Sequence, residues 1–270
     1  MDRRLTPATA AVAHESLRGT LDRPRYTQGE ARQISQPLVD LLAAPQGARD
    51  RQLPMGAPFT VIDRDPHYAF GQAGRDGYCG WVPVTALEPE LAQTHWVAAP
   101  ASHLYPEPRL KTREIASLTM GARVTALGEQ DGWTETTKGW LWSAHLRPLG
   151  DWMADPVAVA ERFLGTPYLW GGNSRSGIDC SGLVQIAHLA CGRPCPGDSD
   201  QQQALGQTVE GDLQRGDLLF WKGHVALAMD ARRMIHATAA FMSVVIEETA
   251  VAIRRIETAG GGPVTARRRP

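Results

Sequence analysis

A thiol at the head of a helix and an imidazole at the head of a strand are the two groups that acyl transfer to sulfur needs, and this sequence supplies both. Cys180 lies in Asp179-Cys180-Ser181-Gly182-Leu183-Val184, and His224 follows 44 residues later in Gly223-His224-Val225-Ala226-Leu227. The sulfur attacks as its thiolate, and the imidazole takes its proton. With Asp179 as N-cap, Cys180 falls in the first helical turn, where aligned peptide dipoles place about half a positive charge. That field, together with a protonated imidazole, favours thiolate and draws a thiol down from about 8.5 by several units. Gly182 removes bulk beside the sulfur, which leaves room for a substrate carbonyl. A cysteine in a helix is most often inert packing. The polar neighbours Asp179 and Ser181, and the glycine-rich stretch before them, argue for chemistry here.

His236 lies 12 residues beyond His224, inside Met234-Ile235-His236-Ala237. A turn at Asp230-Ala231-Arg232 folds one run back on the other and makes the two imidazoles neighbours. His236 is then either the third polar group that fixes the tautomer of the base, by accepting a hydrogen bond from it, or a polar side chain lining a sheet. His188, Cys191 and Cys195 have H-x2-C-x3-C spacing. No second pair of ligands stands at zinc-ribbon distance and Pro194 and Pro196 flank Cys195, so they read as a helix end and a loop, with no metal.

The elements that must position these groups are legible after Gly150. Asp155-Pro156 sets a capping side chain before a proline at the first helical position, and Val157, Ala160, Phe163 and Leu164 give helical spacing up to Gly165. Thr166 to Gly177 is a glycine-rich loop. A second helix runs from about Cys180 to Ala190, with Gly192 to stop it. Three apolar β-like runs follow, Asp217–Trp221, Val225–Met229 and Met234–Ala237. One helix bearing a cysteine, packed on an antiparallel sheet bearing a histidine, is the papain-like α+β arrangement.

The preceding part of the chain repeats itself. Leu53-Pro54-Met55-Gly56-Ala57-Pro58-Phe59-Thr60 echoes Leu118-Thr119-Met120-Gly121-Ala122-Arg123-Val124-Thr125 at an offset of 65. Gly80-Trp81-Val82-Pro83 echoes Gly139-Trp140-Leu141-Trp142 at an offset of 59, so the first copy carries six more residues between the matched blocks. Both copies alternate apolar and polar residues between turns such as Asp76-Gly77 and Asp131-Gly132, as small antiparallel barrels do. The pair resembles bacterial SH3-type (SH3b) barrels. Tryptophans 81, 96, 133, 140 and 142 read as barrel core before they read as a ligand platform. The organisation expected is an N-terminal segment over 1–30, barrels over 31–90 and 91–150, and a catalytic domain over 151–270. Pro7 to Leu21 reads as a short helix, and the basic end Ala266 to Pro270 as a frayed, solvated tail.

Bulk properties narrow the function class. The chain has 270 residues, 43% hydrophobic and 21% charged, with a formal net charge of −1, which argues against nucleic acid or an anionic membrane as partner. The first twenty residues include Arg3, Arg4, His14, Glu15 and Arg18 and lack the apolar core of a signal peptide, and no apolar run approaches the ~20 residues of a membrane span. Four cysteines do not make a disulfide framework. A reducing cytoplasm, which preserves a nucleophilic thiol, is the expected location. No cofactor is expected, and nothing specifies an oligomeric state.

Residues 150 to about 250 resemble the NlpC/P60 cysteine peptidases. The resemblance rests on Gly165-Thr166-Pro167-Tyr168-Leu169-Trp170-Gly171-Gly172, Ile178 to Val184, Arg215-Gly216-Asp217-Leu218-Leu219-Phe220, Gly223-His224-Val225 and Ile235-His236-Ala237, in the family's order. With two SH3b-like barrels in front, the chain looks like the murein-peptide-recycling branch: γ-D-glutamyl-L-diamino acid endopeptidases acting on murein tripeptides or tetrapeptides with a free N-terminal L-Ala. The resemblance implies Cys180 as nucleophile, His224 as base, His236 as orienting residue, and Tyr168 with the Cys180 backbone N–H as oxyanion donors. It also implies that Asp179, Ser181, Asp198 and Ser199 line the substrate site and that Tyr78 of the first barrel reaches over it. Relatives commonly carry an acidic residue where this chain has Ala57, so amine recognition falls to Asp179, Asp198 or another group, or is relaxed. A wall-binding protein with an inactive hydrolase domain, and a thiol acyltransferase using the same acyl-enzyme, are the competing readings.

Overall fold

The internal repeat sets the architecture of the first half. The computed structural model describes residues 1–270 in two units, Met1–Leu149 and Gly150–Pro270. In the first unit a seven-stranded antiparallel sheet runs in the order Arg49–Pro54, Leu38–Leu42, Cys79–Pro83, Tyr68–Ala73, Pro58–Arg64, Glu30–Ile34 and Leu87–Pro89. It wraps a core that includes Ile34, Leu41, Leu53, Phe59 and Val82. The second copy builds smaller sheets, from His95–Val97 to Leu146–Pro148, around Val97, Leu104, Leu118, Val124 and Leu141. The matched blocks occupy equivalent turns, with Gly56 at φ 72° and Gly121 at φ 86°. A Cβ on Gly56 would stand 2.3 Å from the Arg123 carbonyl oxygen, so glycine lets the first copy's turn lie against the second copy's backbone. Met55, just before it, packs into the second core.

Pro7 to Leu21 does not form the expected α-helix. Val12–His14 is a strand, parallel to Arg25–Thr27, followed by a 3-10 turn at Glu15–Leu17. The Thr9 hydroxyl accepts hydrogen bonds from the Ala11 and Val12 N–H groups, which gives the backbone a local alternative to a helix. Val12 is then buried with Ile62, Phe70 and Cys79.

The second unit has four helices, α1 (Pro156–Glu161), α2 (Cys180–Leu189), α3 (Ser199–Gln202) and α4 (Thr249–Thr258). Asp155 caps α1 by accepting from the Val157 N–H at 2.9 Å, with Pro156 at the first helical position. A six-stranded antiparallel sheet runs Gln207–Thr208, Ala266–Arg269, Leu218–Trp221, His224–Ala228, Arg233–Thr238 and Ser243–Glu248. Helix α2 packs on its two histidine-bearing strands. The basic tail is not frayed: Ala266–Arg269 pairs on both sides, and the Arg269 guanidinium donates to both oxygens of Asp217 at 2.7 Å. A bidentate pair with a buried carboxylate is what holds a strand of consecutive arginines in a sheet. None of the helices is long and apolar enough to cross a membrane.

Candidate active site

The N-terminus of α2 is built by one carboxylate. Asp179 Oδ1 accepts from the Gly182 N–H at 2.6 Å and from the Ser181 hydroxyl at 3.1 Å, while Oδ2 accepts from the Gly171 N–H at 2.8 Å. Asp179 thus caps the helix and staples the preceding glycine-rich loop to it. Cys180 is the first residue of α2 and is 7% exposed. The space at Gly182 is used by the protein itself. A Cβ there would sit 2.5 Å from the Gly172 carbonyl oxygen and 3.0 Å from Asp179 Oδ1. The missing side chain admits the loop, where the sequence alone suggested room for a substrate.

That loop is more ordered than its composition implies. Asn173–Ser174 pairs with Gly177–Ile178, and Tyr168 is held between its bridge to Ile178 and a hydrogen bond from its N–H to the Met242 carbonyl at 2.9 Å. Burial, with the charges of Cys180 and Asp179 adding to it, pushes the Tyr168 phenol up to about 12. Tyr168 therefore keeps its proton and remains a donor beside Cys180.

The imidazoles come from adjacent strands. His224 opens its strand beside Trp221, with ring centroids 5.6 Å apart and the planes tilted by 43°. Its Nε2 lies 2.8 Å from Nδ1 of His236. Burial above all, then the proximity of His236 and Arg255, drives His224 down to about 3 against the opposing pull of Glu247. The ring is neutral at ordinary pH, the form that accepts a proton, whereas the sequence reading had a protonated imidazole assisting the thiolate. Loss of water around the ring is the reason for the difference.

The hydrogen-bonded series continues through residues that the motif reading did not single out. His236 Nε2 lies 2.8 Å from Glu247 Oε2, and Arg255 donates from Nη2 to Oε2 at 2.5 Å and from Nε to Oε1 at 3.1 Å. Burial opposes ionisation of Glu247, yet the bonds from His236 and Arg255 outweigh it and bring the carboxyl down to about 2. Glu247 stands two residues beyond Val245, the cross-strand partner of His236, and so shares its face of the sheet. The β-branched run Val244-Val245-Ile246 just before Glu247 was the available signal for a strand.

The remaining residues singled out in the sequence are distributed as follows. Ser181 is buried, with its carbonyl accepting from Gln202 at 3.0 Å. Asp198 precedes α3 and Ser199 begins it, both partly exposed. Tyr78 and Ala57 belong to the apolar core of the first sheet. His188 is buried on α2, and burial pushes it down to about 4, while the Cys195 thiol meets the Pro196 carbonyl and the Gln202 amide. Trp96 is buried and Trp142 is 42% exposed, so the barrel tryptophans are not uniformly core.

A helix with a cysteine at its N-terminus, packed on an antiparallel sheet that carries a hydrogen-bonded imidazole pair, is the arrangement of the papain-like thiol hydrolases. Residues 165–255 match the NlpC/P60 family, and residues 41–87 match the bacterial dipeptidyl-peptidase SH3 domain. The chain thus carries an NlpC/P60 domain preceded by a bacterial SH3 domain. It is 29% identical over 234 residues to a γ-D-glutamyl-L-lysine dipeptidyl-peptidase of Bacillus cereus, covering 73% of this chain and 69% of that protein. A protein of the same name from Bacillus subtilis is 29% identical over 181 residues, 60% of each. The chain thus spans about two thirds of the length of these relatives. The crystal structure of an NlpC/P60 family protein from Bacillus cereus shares the fold, with a TM-score of 0.75 over 89% of this chain and 99% of that one at 23% identity.

Proposed function

We propose that this chain hydrolyses the γ-D-glutamyl-L-diamino acid bond of peptidoglycan peptides that bear a free N-terminal L-Ala, as a cytoplasmic enzyme of peptidoglycan recycling. The observation that carries the chemistry is the 2.8 Å contact between His224 and His236 on the strands against which α2, headed by Cys180, is packed. In this reading the Cys180 proton passes to neutral His224 as sulfur bonds to the D-glutamyl side-chain carbonyl carbon. The proton then goes from His224 to the departing amine, and water deprotonated by His224 releases the acyl group from sulfur. Tyr168 and the Cys180 N–H hold the oxyanion, each such donor contributing on the order of 3 kcal/mol to the transition state. Asp179, Ser181, Asp198 and Ser199 line the substrate side. Asp179 at the head of α2 and Asp198 at the partly exposed start of α3 are the candidates for the amine. The names of the relatives support the bond specificity, and four free thiols suit a reducing compartment.

The test is incubation with L-Ala-γ-D-Glu-diaminopimelate and with its N-acetylated form, followed by mass spectrometry. Release of L-Ala-D-Glu and free diaminopimelate from the free-amine peptide alone is the expected result. Retention without cleavage would make the protein a binder, and new amide or ester products would make it an acyltransferase.

A further inference from the structure

Glu247 and Arg255 are not part of the cysteine, the imidazole pair or the oxyanion donors, yet they end the hydrogen-bonded series that begins at His224. We infer that Glu247, held by Arg255, is a positioning residue that fixes the tautomers of both imidazoles and so decides which nitrogen of His224 is free to act as base. This deepens the peptidase reading and rests on it.

The protons are assigned from the carboxylate inward. Glu247 is ionised, so it can only accept, and its Oε2 lies 2.8 Å from His236 Nε2. His236 Nε2 therefore carries a proton and donates it. With that single N–H on its ring, His236 accepts at Nδ1, and the atom 2.8 Å away, His224 Nε2, is the donor. His224 is itself neutral and has no second N–H, so its Nδ1 bears the lone pair. Each ring takes its assignment from the one beyond it, and the series is anchored at the carboxylate. Without that anchor His236 has two tautomers of similar energy. In the wrong one its Nδ1–H points at His224 Nε2, and the proton of His224 moves to Nδ1, where it blocks attack on a thiol hydrogen.

Arg255 has a second contact that explains why the anchor is stiff. Its guanidinium carbon lies 5.1 Å from the ring centroid of Phe241, beside Met242, whose carbonyl accepts the Tyr168 N–H. The fork on Glu247 and the stack on Phe241 fix the guanidinium between α4 and the turn before the Glu247 strand. The turn on which Arg255 stacks is the one whose Met242 carbonyl accepts the Tyr168 N–H.

Two measurements test this on the full chain and on Glu247→Ala and Glu247→Asp: the tautomer of each histidine by 15N NMR of histidine-labelled protein, and kcat and KM on the tripeptide. The side chain of Glu247 is only 11% exposed, so a native circular dichroism spectrum is required of each variant, and the wild-type tautomers test the inference by themselves. Wild type should carry the proton of both His224 and His236 on Nε2. Glu247→Ala should lose the single tautomer at His236 and lower kcat about tenfold to a hundredfold with KM within about twofold, a range usual for residues that orient a reacting group. Glu247→Asp should restore the tautomer and most of kcat. A wild-type His236 protonated on Nδ1, or an Ala variant in which tautomer and kcat do not change together, overturns the inference. An Asp variant as impaired as Ala does so too, because it assigns Glu247 a merely structural role. If the wild-type protein cleaves no peptide, the peptidase reading fails by itself and the tautomers alone decide this one.

Discussion

Cys79 and Cys180 are both buried thiols, at 1% and 7% exposure, in surroundings of opposite kind. Cys79 begins a strand of the first sheet and packs with Val12, Ile62 and Phe70. Its thiol meets the Gly77 carbonyl, 3.5 Å away, and burial pushes it up to about 12, with Asp76 adding and a Gln72 bond opposing. Cys180 is the first residue of a capped helix, beside a protonated tyrosine, and that helix packs on the strand that carries a neutral imidazole. Burial removes water from both sulfurs. Only the second has dipoles and a base in place of that water, so the difference lies in what replaces the solvent rather than in depth.

The largest effect that sharpens this comparison is on turnover. Cys180→Ala should lower kcat by about 10⁴-fold or more, as removal of a covalent nucleophile does, whereas Cys79→Ala should stay within about twofold of wild type. Iodoacetamide at pH 7, read by peptide mass mapping, should label Cys180 well before Cys79. Equal labelling rates, or turnover by the Cys180 variant, would erase the distinction.

The motifs that carry this contrast were readable because each needs few residues. Asp179-Cys180 marks a helix start, Gly223-His224 a strand start, and the turn at Asp230 fixes the strands as neighbours. The later Ser243–Glu248 strand, α4 and the Ala266–Arg269 strand were not singled out. Their stabilising contacts are long-range: Glu247 earns its place from His236 across a strand pair, and Arg269 from Asp217. Three consecutive arginines read as a solvated tail until a buried carboxylate is known to face them. The crowding at Gly182 was equally invisible, since Gly172 approaches it only after the loop has folded back.

Each of the two thiols has a crowded glycine nearby, and substituting both separates local from global damage. A Cβ on Gly80 would meet Leu41 Cγ at 2.8 Å and the Leu42 carbonyl at 2.9 Å. On Gly182 it would meet the Gly172 carbonyl at 2.5 Å. Overpacking of this kind costs roughly 1–3 kcal/mol. Both Ala variants should melt earlier, but Gly182→Ala should also lower kcat/KM by about tenfold or more, because the loop it displaces carries Tyr168. Gly80→Ala should leave kcat/KM within about twofold. Should the two variants lose activity in parallel with their melting temperatures, the α2 terminus would have no local role.

The smallest effect contrasts a buried histidine that has partners with one that lacks them. His188, 2% exposed on α2, has no hydrogen-bond partner at Nε2, and burial, assisted by Arg193, holds it at about 4. Its folded value lies below the unfolded value of about 6.5, so the unfolded chain binds the proton first. Stability from this ring is complete above about pH 6.5 and declines as pH falls toward 4, by a total on the order of 3 kcal/mol. His224 adds a decline of the same sign that extends to about 3, and it cannot be removed without removing the base. His188 can be removed. His188→Leu should lower the difference in melting temperature between pH 7 and pH 5 while leaving kcat at pH 7 within about twofold. An unchanged pH dependence would transfer the whole acid lability to the His224 series, which would make that series the acid-sensitive part of the unit.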